Sequence, residues 1–517
     1  MVLLDYMGHP LFDIGLATIV TYVNKDNPAD LTEDDLYKVA DFIETYYTQQ
    51  PLTSFLTVSL MNSDFTQPAF KDKPERRKEY AKLVAKNFGP EALRNEEICV
   101  FTGQPALGHS LSLKKDKEGR EELPPGRAYR QHIPLITGEG IINFSAGGDP
   151  GLPVSGEALL CLQFFPMGCL KCGGRLLAIH SDNPKIILAA ARRALQENTE
   201  AITLARAKGE TKLPDASSSP RTLLIETLMG MDFRQQDAQE EKQPYSITAY
   251  HLTNSGQTSP LDEKSPPLRL YHLPMNIVRF LRTSYHPGYK QVWQRLVERG
   301  WERPKPAKNK DEGRGEEVGE IFPAKRRRNY LYEDVFRLPE DARNFVRTYL
   351  LRIPKRNTTT VDPRSHYSLR QDVGMVPWTF TELFLREVMH MDKERIEEIR
   401  ELGDTLAEYV KEQNDKRFFS KFFELQRGDY FRTELLRANR NQTSRGKPPL
   451  FSLDSFCTVF FEIEGEALRL DWRFARDLVF IRMLEWLYKN DDRLSEHLNA
   501  LPEDREMGTS SPENEQE

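Results

Sequence analysis

The apolar residues of this chain change their spacing part-way along it, and that change limits the fold more than any motif does. From about 97 to 182 they fall in short runs broken by glycine and proline, as in IPLITG, GIINFSAGGDPGLP and RLLAIHSD, which predicts strands and tight turns. Beyond about 370 they recur at helical spacing. Ile396, Ile399, Leu402, Leu406 and Val410 form one stripe with Asp392 as its cap. Phe419, Phe422 and Phe423 mark a second helix, and Phe474, Leu478, Ile481, Leu484 and Tyr488 a late one. Short connections between such helices favour a bundle. The expected class is therefore α+β: a mixed amino-terminal domain over 1–340, a helical bundle over 341–500, and a disordered acidic tail over 501–517.

Local signals add detail. Thr32 and Asp35 form a capping box ahead of Leu36, Val39, Ala40 and Ile43, which predicts an early helix. Asn183 followed by Pro184 opens a long helix. SITAYHLTNSG and LRLYHLP read as two strands, with a helical turn from Met275 to Arg282 after them. Residues 208–221, 255–267 and 302–320 are rich in charge, Ser, Pro and Gly and read as linkers or loops.

Composition narrows the class. In 517 residues, Lys+Arg at 72 against Asp+Glu at 78 gives a net charge of −6, so binding to nucleic acid would need a local basic surface. Five cysteines, an odd number, argue for a reducing compartment over a disulfide framework. The start MVLLDYMGHPLF lacks a basic leader, and the longest apolar stretch, ALLCLQFF, is far short of the roughly 20 residues that span a bilayer. A cytoplasmic protein without a membrane segment is expected.

Several enzyme motifs fail on single residues. GLPVSGEA has the glycine spacing of a phosphate loop, but Glu157 stands where the phosphate-binding lysine belongs. No HExxH, GxSxG or EF-hand loop occurs. Two turns match one another instead: CVFTGQPA from Cys99 and CLKCGGRL from Cys169, each a cysteine, two spacers, a fourth position and a glycine. That is the frame of a zinc knuckle, in which glycine lets backbone amides close around thiolates. The second turn is complete with Cys169 and Cys172, whereas Thr102 breaks the first. Two readings stand. Either zinc is held by Cys99, Cys169 and Cys172, with His109 or Cys161 as a fourth ligand, or the knuckle is vestigial and the thiols pack as small apolar groups. Both make the module structural, since no general base stands nearby.

The basic signals are the run Lys325, Arg326, Arg327 and Arg328, followed by Arg343, Arg347, Arg352, Lys355, Arg356 and Arg364. Arginine pairs bidentately with phosphate, so these are candidate DNA contacts, as are Arg432, Arg437 and Arg440 on a later helix.

Together these segments resemble a known family. YMGHPLFDIGLATI, MNSDFTQPAF, GGDPGLPVSGEALLCLQFFPMGCLKCGGRLLAIHSD and YHLTNSG look like the large subunit of type I-B CRISPR Cascade complexes, a family described by paired CxxC motifs. The resemblance spans most of the first 290 residues and is most specific at 147–182; Thr102 departs from it. It implies a non-catalytic DNA-binding subunit assembled with guide RNA, target DNA and Cascade backbone subunits. Such a subunit reads a short motif flanking the target, stabilises unwound DNA and docks a helicase-nuclease or transposition proteins. For that motif recognition the small polar residues His9, Asn62, Ser63 and Gln67 on Gly- or Pro-bounded loops are the candidates. It further implies a small helical subunit from an internal start, for which Met375 is placed, with Met389 and Met391 behind it. Two other classes stay open: a stand-alone metal-dependent nucleic-acid-processing enzyme, and a scaffold with no DNA contact.

Overall fold

The helix that organises the amino-terminal unit begins at a proline and has no polar face over most of its length. Pro10 opens the Pro10–Tyr22 helix, and every residue from Leu11 to Val20 is buried. The helix is enclosed by Gly156–Phe164, Pro184–Lys208, the 3-10 turn Phe165–Gly168 and a strand. Gly15 permits the closest of these approaches: a Cβ there would stand 2.0 Å from the Cys161 carbonyl oxygen.

The computed structural model describes residues 4–114, 118–119, 121, 123–136, 138, 150–231, 244–254, 263–304, 327–460 and 471–502. Within them the class is α+β. Two small hairpin-like pairs, β1 (Arg94–Ile98) with β2 (Pro105–Leu107) and β3 (Arg127–Ala128) with β4 (Leu152–Pro153), precede an antiparallel sheet. That sheet runs in the order β5 (Leu170–Cys172), β6 (Arg175–Ser181), β7 (Ile247–Leu252) and β8 (Leu268–Leu273); SITAYHL and LRLYHL supply strands as expected, and the two pair antiparallel. The early helix is Glu33–Tyr46 with its Thr32–Asp35 capping box complete, and Asn183 caps Pro184–Lys208 by accepting from the Lys185 N–H. The expectation of strands over 97–182 holds only for short pieces, because Ser155 caps a buried helix, Gly156–Phe164, through that stretch. Residues 139–149, which carry most of GIINFSAGGDPGLP, lie outside the described residues.

The chain divides into two compact units, Met1–Met275 with Phe322–Arg327, and Asn276–Ile321 with Arg328–Glu517. That division falls earlier than the expected one at 340/341. The second unit is helical, as the spacing beyond 370 indicates. Its aromatic core explains why it includes residues 276–299. Phe280 meets Trp293 edge-on at 5.9 Å and Phe384 at 5.6 Å, and Phe345 stacks on Phe384 at 5.1 Å. The stripe from Ile396 to Val410 is buried on Lys393–Gln413, which packs against Trp472–Asn490. Asp392 precedes this helix without a side-chain capping bond. The expected tail lies outside the described residues beyond 502, and no described helix is long and apolar enough to cross a membrane.

Candidate nucleic-acid interface

Helix Gly428–Thr443 buries Phe431, Leu435, Ala438 and Gln442 along one side, which fixes what its other side presents. Arg432, Arg437 and Arg440 are all exposed there. Arg432 and Arg440 make no ion pair among the described residues, whereas Arg437 stands 3.8 Å from Glu434. Tyr430 and Leu436 are exposed on the same helix, and Arg427 lies over the Tyr430 ring at 4.7 Å while pairing with Asp429. Residues 427–447 carry six basic side chains and two acidic ones, so a chain of net charge −6 concentrates positive charge here. Exposed arginines beside an aromatic ring suit a phosphate backbone with an adjacent base.

The other basic residues divide differently. Lys325 and Arg326 lie outside the described residues. Arg327 is half-buried, and Arg328 is exposed with its carbonyl accepting from the Glu302 N–H at 2.8 Å. Of the arginines beyond the run, three are spent inside the second unit. Arg347 pairs with Asp477 at 2.6 Å, Arg352 with Asp372 at 2.8 Å, and Arg364 with Asp362 at 2.7 Å. The expectation that they meet phosphate is corrected for these three: each is committed to a buried carboxylate. For Arg347 and Arg352 the carboxylate stands 130 and 20 residues away along the chain, so the linear order gives no sign of the pairing.

The residues proposed to read a flanking motif fall on two turns. Gly8 adopts a left-handed φ of 79°, and exposed His9 meets Phe101 edge-on at 5.0 Å. Although its surface is open, the groups crowded around His9 displace water and lower its pKa below the usual value, with Asp13 opposing and His180 adding to the shift. Asp13 holds this turn. Its carboxylate accepts from the Met7 and Gly8 N–H groups and lies 2.9 Å from His180 Nε2. Neither Asp13 nor His180 was singled out in sequence, since their partners are 167 residues apart. On the second turn Asn62 is exposed with φ 67°, and Gln67 Nε2 reaches the Asn62 carbonyl at 3.4 Å. Ser63 is fully buried, its hydroxyl 3.3 Å from that of Thr66, and serves the turn from inside.

The cysteine turns have separate local roles. Thr102 Oγ1 lies 3.2 Å from Ser155 Oγ, the capping group of Gly156–Phe164, and the Val100 N–H donates to the Pro153 carbonyl at 3.1 Å. The first turn thus clamps a helix start. In the second, Gly173 and Gly174 adopt left-handed φ to close the β5–β6 hairpin, and the Cys172 carbonyl lies 2.9 Å from His251 Nε2. The Cys169 thiol donates to the Phe165 carbonyl at 3.3 Å. Burial pushes the Cys161 and Cys169 thiols up, and the neighbouring Glu157, Asp13 and Cys99 add to the shift at Cys161. His109 stands by the Leu83 backbone, where burial lowers its pKa. Among the described residues no three of His, Cys, Asp or Glu stand together as a metal-holding group. Cys99, Cys169 and Cys172 are each buried, and this arrangement does not gather them into one ligand set. Glu157, in the phosphate-loop frame, pairs with Arg94 at 2.8 Å and accepts from the Gly89 N–H, tying that helix to β1.

No family model matches the chain, and no match is found among curated proteins or solved structures.

Proposed function

We propose that the chain is the non-catalytic large subunit of an RNA-guided DNA surveillance complex of the type I-B Cascade kind. The observation that carries the DNA-binding part is the exposed Arg432, Arg437 and Arg440 on one helix, in a segment with six basic and two acidic side chains. The role in an RNA-guided complex rests on the resemblance of the amino-terminal segments. Guide RNA reads the target by pairing, and the protein contributes backbone contacts and recognition of a flanking motif. In this reading the Gly428–Thr443 helix tracks phosphates, with Lys325 to Arg328 as a second contact. His9, Asn62 and Gln67 test the flanking motif in a groove, and buried Ser63 shapes their turn. Cascade backbone subunits, guide RNA, target DNA and a helicase-nuclease or transposition machinery are the partners.

Salt dependence tests the DNA contact. Duplex binding by the wild type is expected to weaken with rising salt. The triple variant R432A/R437A/R440A is expected to bind more weakly and to flatten the log–log slope by about one unit per lost phosphate contact, on matched and unmatched sequences alike. An unchanged slope would remove this helix from the interface. DNA turnover by the purified chain, lost in chelator, would instead favour a metal-dependent enzyme, and assembly without any DNA affinity would favour a scaffold.

A further inference from the structure

The second unit contains a groove that the Gly428–Thr443 interface does not use. It occupies about 470 Å³ and is lined by Arg295, Arg299, Gln371, Gly374, Met375 and Tyr488, with Glu298 and Asp372 also on its wall. Arg295 and Arg299 stand one turn apart near the end of Pro287–Arg299, both exposed. Arg295 makes no ion pair among the described residues, and Arg299 gives one nitrogen, Nη1, to Asp372 at 2.9 Å. Tyr488 lies against Gly374, where a Cβ would meet its ring at 2.6 Å, and over half of the tyrosine is left exposed. A left-handed φ of 76° at Gly374 gives a second reason for glycine there.

A second, independent observation lies behind the groove. Arg352 is 1% exposed, adopts a left-handed φ of 63°, and stacks its guanidinium 3.3 Å over the Tyr367 ring. Its Nε holds Asp372, but neither terminal nitrogen has a hydrogen-bond partner. Arg352 lines a small cavity of about 20 Å³, which shares Asp372, Val373 and Gly374 with the groove. Space of that size admits a water, which unspent donors would hold. Asp372 is thereby shared between two guanidinium groups. Against the carboxylates of Asp372 and Glu298, the three cations Arg295, Arg299 and Arg352 leave one positive charge in excess. Glu485, also on the cavity wall, is already matched by Arg482 and Lys489.

We propose that this groove binds a nucleotide unit, its phosphate on Arg295 and Arg299 and its base on the open part of Tyr488. The shared chemistry is a phosphate next to a planar ring, supplied by a free nucleotide or by one residue of a single strand. The proposal does not rest on the Cascade reading. Its test uses the full chain with thymidine monophosphate by calorimetry, and with a short fluorescein-labelled oligothymidylate by polarisation. Binding in either arm is expected to weaken about tenfold in Tyr488→Ala, the scale of losing one stacked base, and to fall also in Arg295→Ala. Both side chains are largely exposed, and unchanged thermal melting will show that the fold persists. Binding of the mononucleotide alone identifies a free nucleotide; tighter binding of the oligonucleotide identifies a single strand. Absence of binding in both arms, affinity indifferent to both variants, or competition by inorganic phosphate as strong as by thymidine monophosphate overturns the proposal. R432A/R437A/R440A is expected to weaken duplex binding and leave mononucleotide binding unchanged, so failure of the duplex interface and failure of the groove are separately visible.

Discussion

The imidazole of His132 is enclosed on all sides. Its Nδ1 accepts from the Tyr129 N–H at 3.0 Å, which leaves Nε2 to donate to the Leu111 carbonyl at 2.9 Å. The bond accepted at Nδ1 needs the neutral ring, and burial lowers its pKa from 6.5 to about 4 against the opposing effect of the Leu111 carbonyl. The unfolded chain binds this proton more readily than the folded one between those values. Stability contributed by His132 is thus fully present above pH 6.5 and is lost as pH falls toward 4. The loss at the acid end is of the order of 3 kcal/mol. In thermal unfolding across that range, His132→Gln is expected to be less stable than wild type at neutral pH and to lose less on acidification; parallel pH profiles would contradict this. The same scale shows what a sequence conceals. Arg347 and Arg352 look as free as Arg432 and Arg440 in the linear chain, and only the fold reveals which ones carboxylates have claimed.

Elements were legible where one face meets water. The capping box of Glu33–Tyr46, the stripe of Lys393–Gln413 and the paired strands β7 and β8 all announce a polar side against an apolar one. Pro10–Tyr22 and Gly156–Phe164 do not, because burial on every side erases the period. The cysteine turns were legible as turns, but their roles as a helix clamp and a hairpin closure depend on partners far along the chain. The YHLTNSG segment has a comparable hidden role. Buried Asn254 follows β7 and donates its Nδ2 to the Ser59 and Arg130 carbonyls, while its Oδ1 accepts from Arg130 Nε at 2.9 Å. It thereby fixes the backbone just ahead of the Asn62 turn. Asn254→Ala leaves several of these groups without partners and is expected to cost about 2–3 kcal/mol in denaturant unfolding. A cost below about 0.5 kcal/mol, the scale of an ordinary surface change, would show that this knot is not holding the turn.

At the scale of the molecule, two units with their own cores accommodate a division between motif recognition and strand handling. The reader candidates His9, Asn62 and Gln67 belong to the first unit, and the Arg432–Arg440 helix and the groove to the second. The break at Met275/Asn276 bears on the small subunit expected from an internal start. Met375 is half-buried in the groove wall, and a product beginning there would lack Phe280, Trp293 and Phe345, which pack on Phe380 and Phe384. Such a product would need another surface to cover those rings. A net charge of −6 averages over the whole chain and so gives no sign of the six basic against two acidic side chains gathered in residues 427–447. The central proposal is that the chain is a subunit working with a guide RNA. Its most direct measurement is the nucleic acid that co-purifies with the tagged full chain from its native cells after a high-salt wash. RNA of one discrete length, in near-equal molar amount with the chain and accompanied by backbone subunits, is the expected result. Recovery of the chain in good yield with no RNA, or with RNA of random length and sequence, would contradict the account.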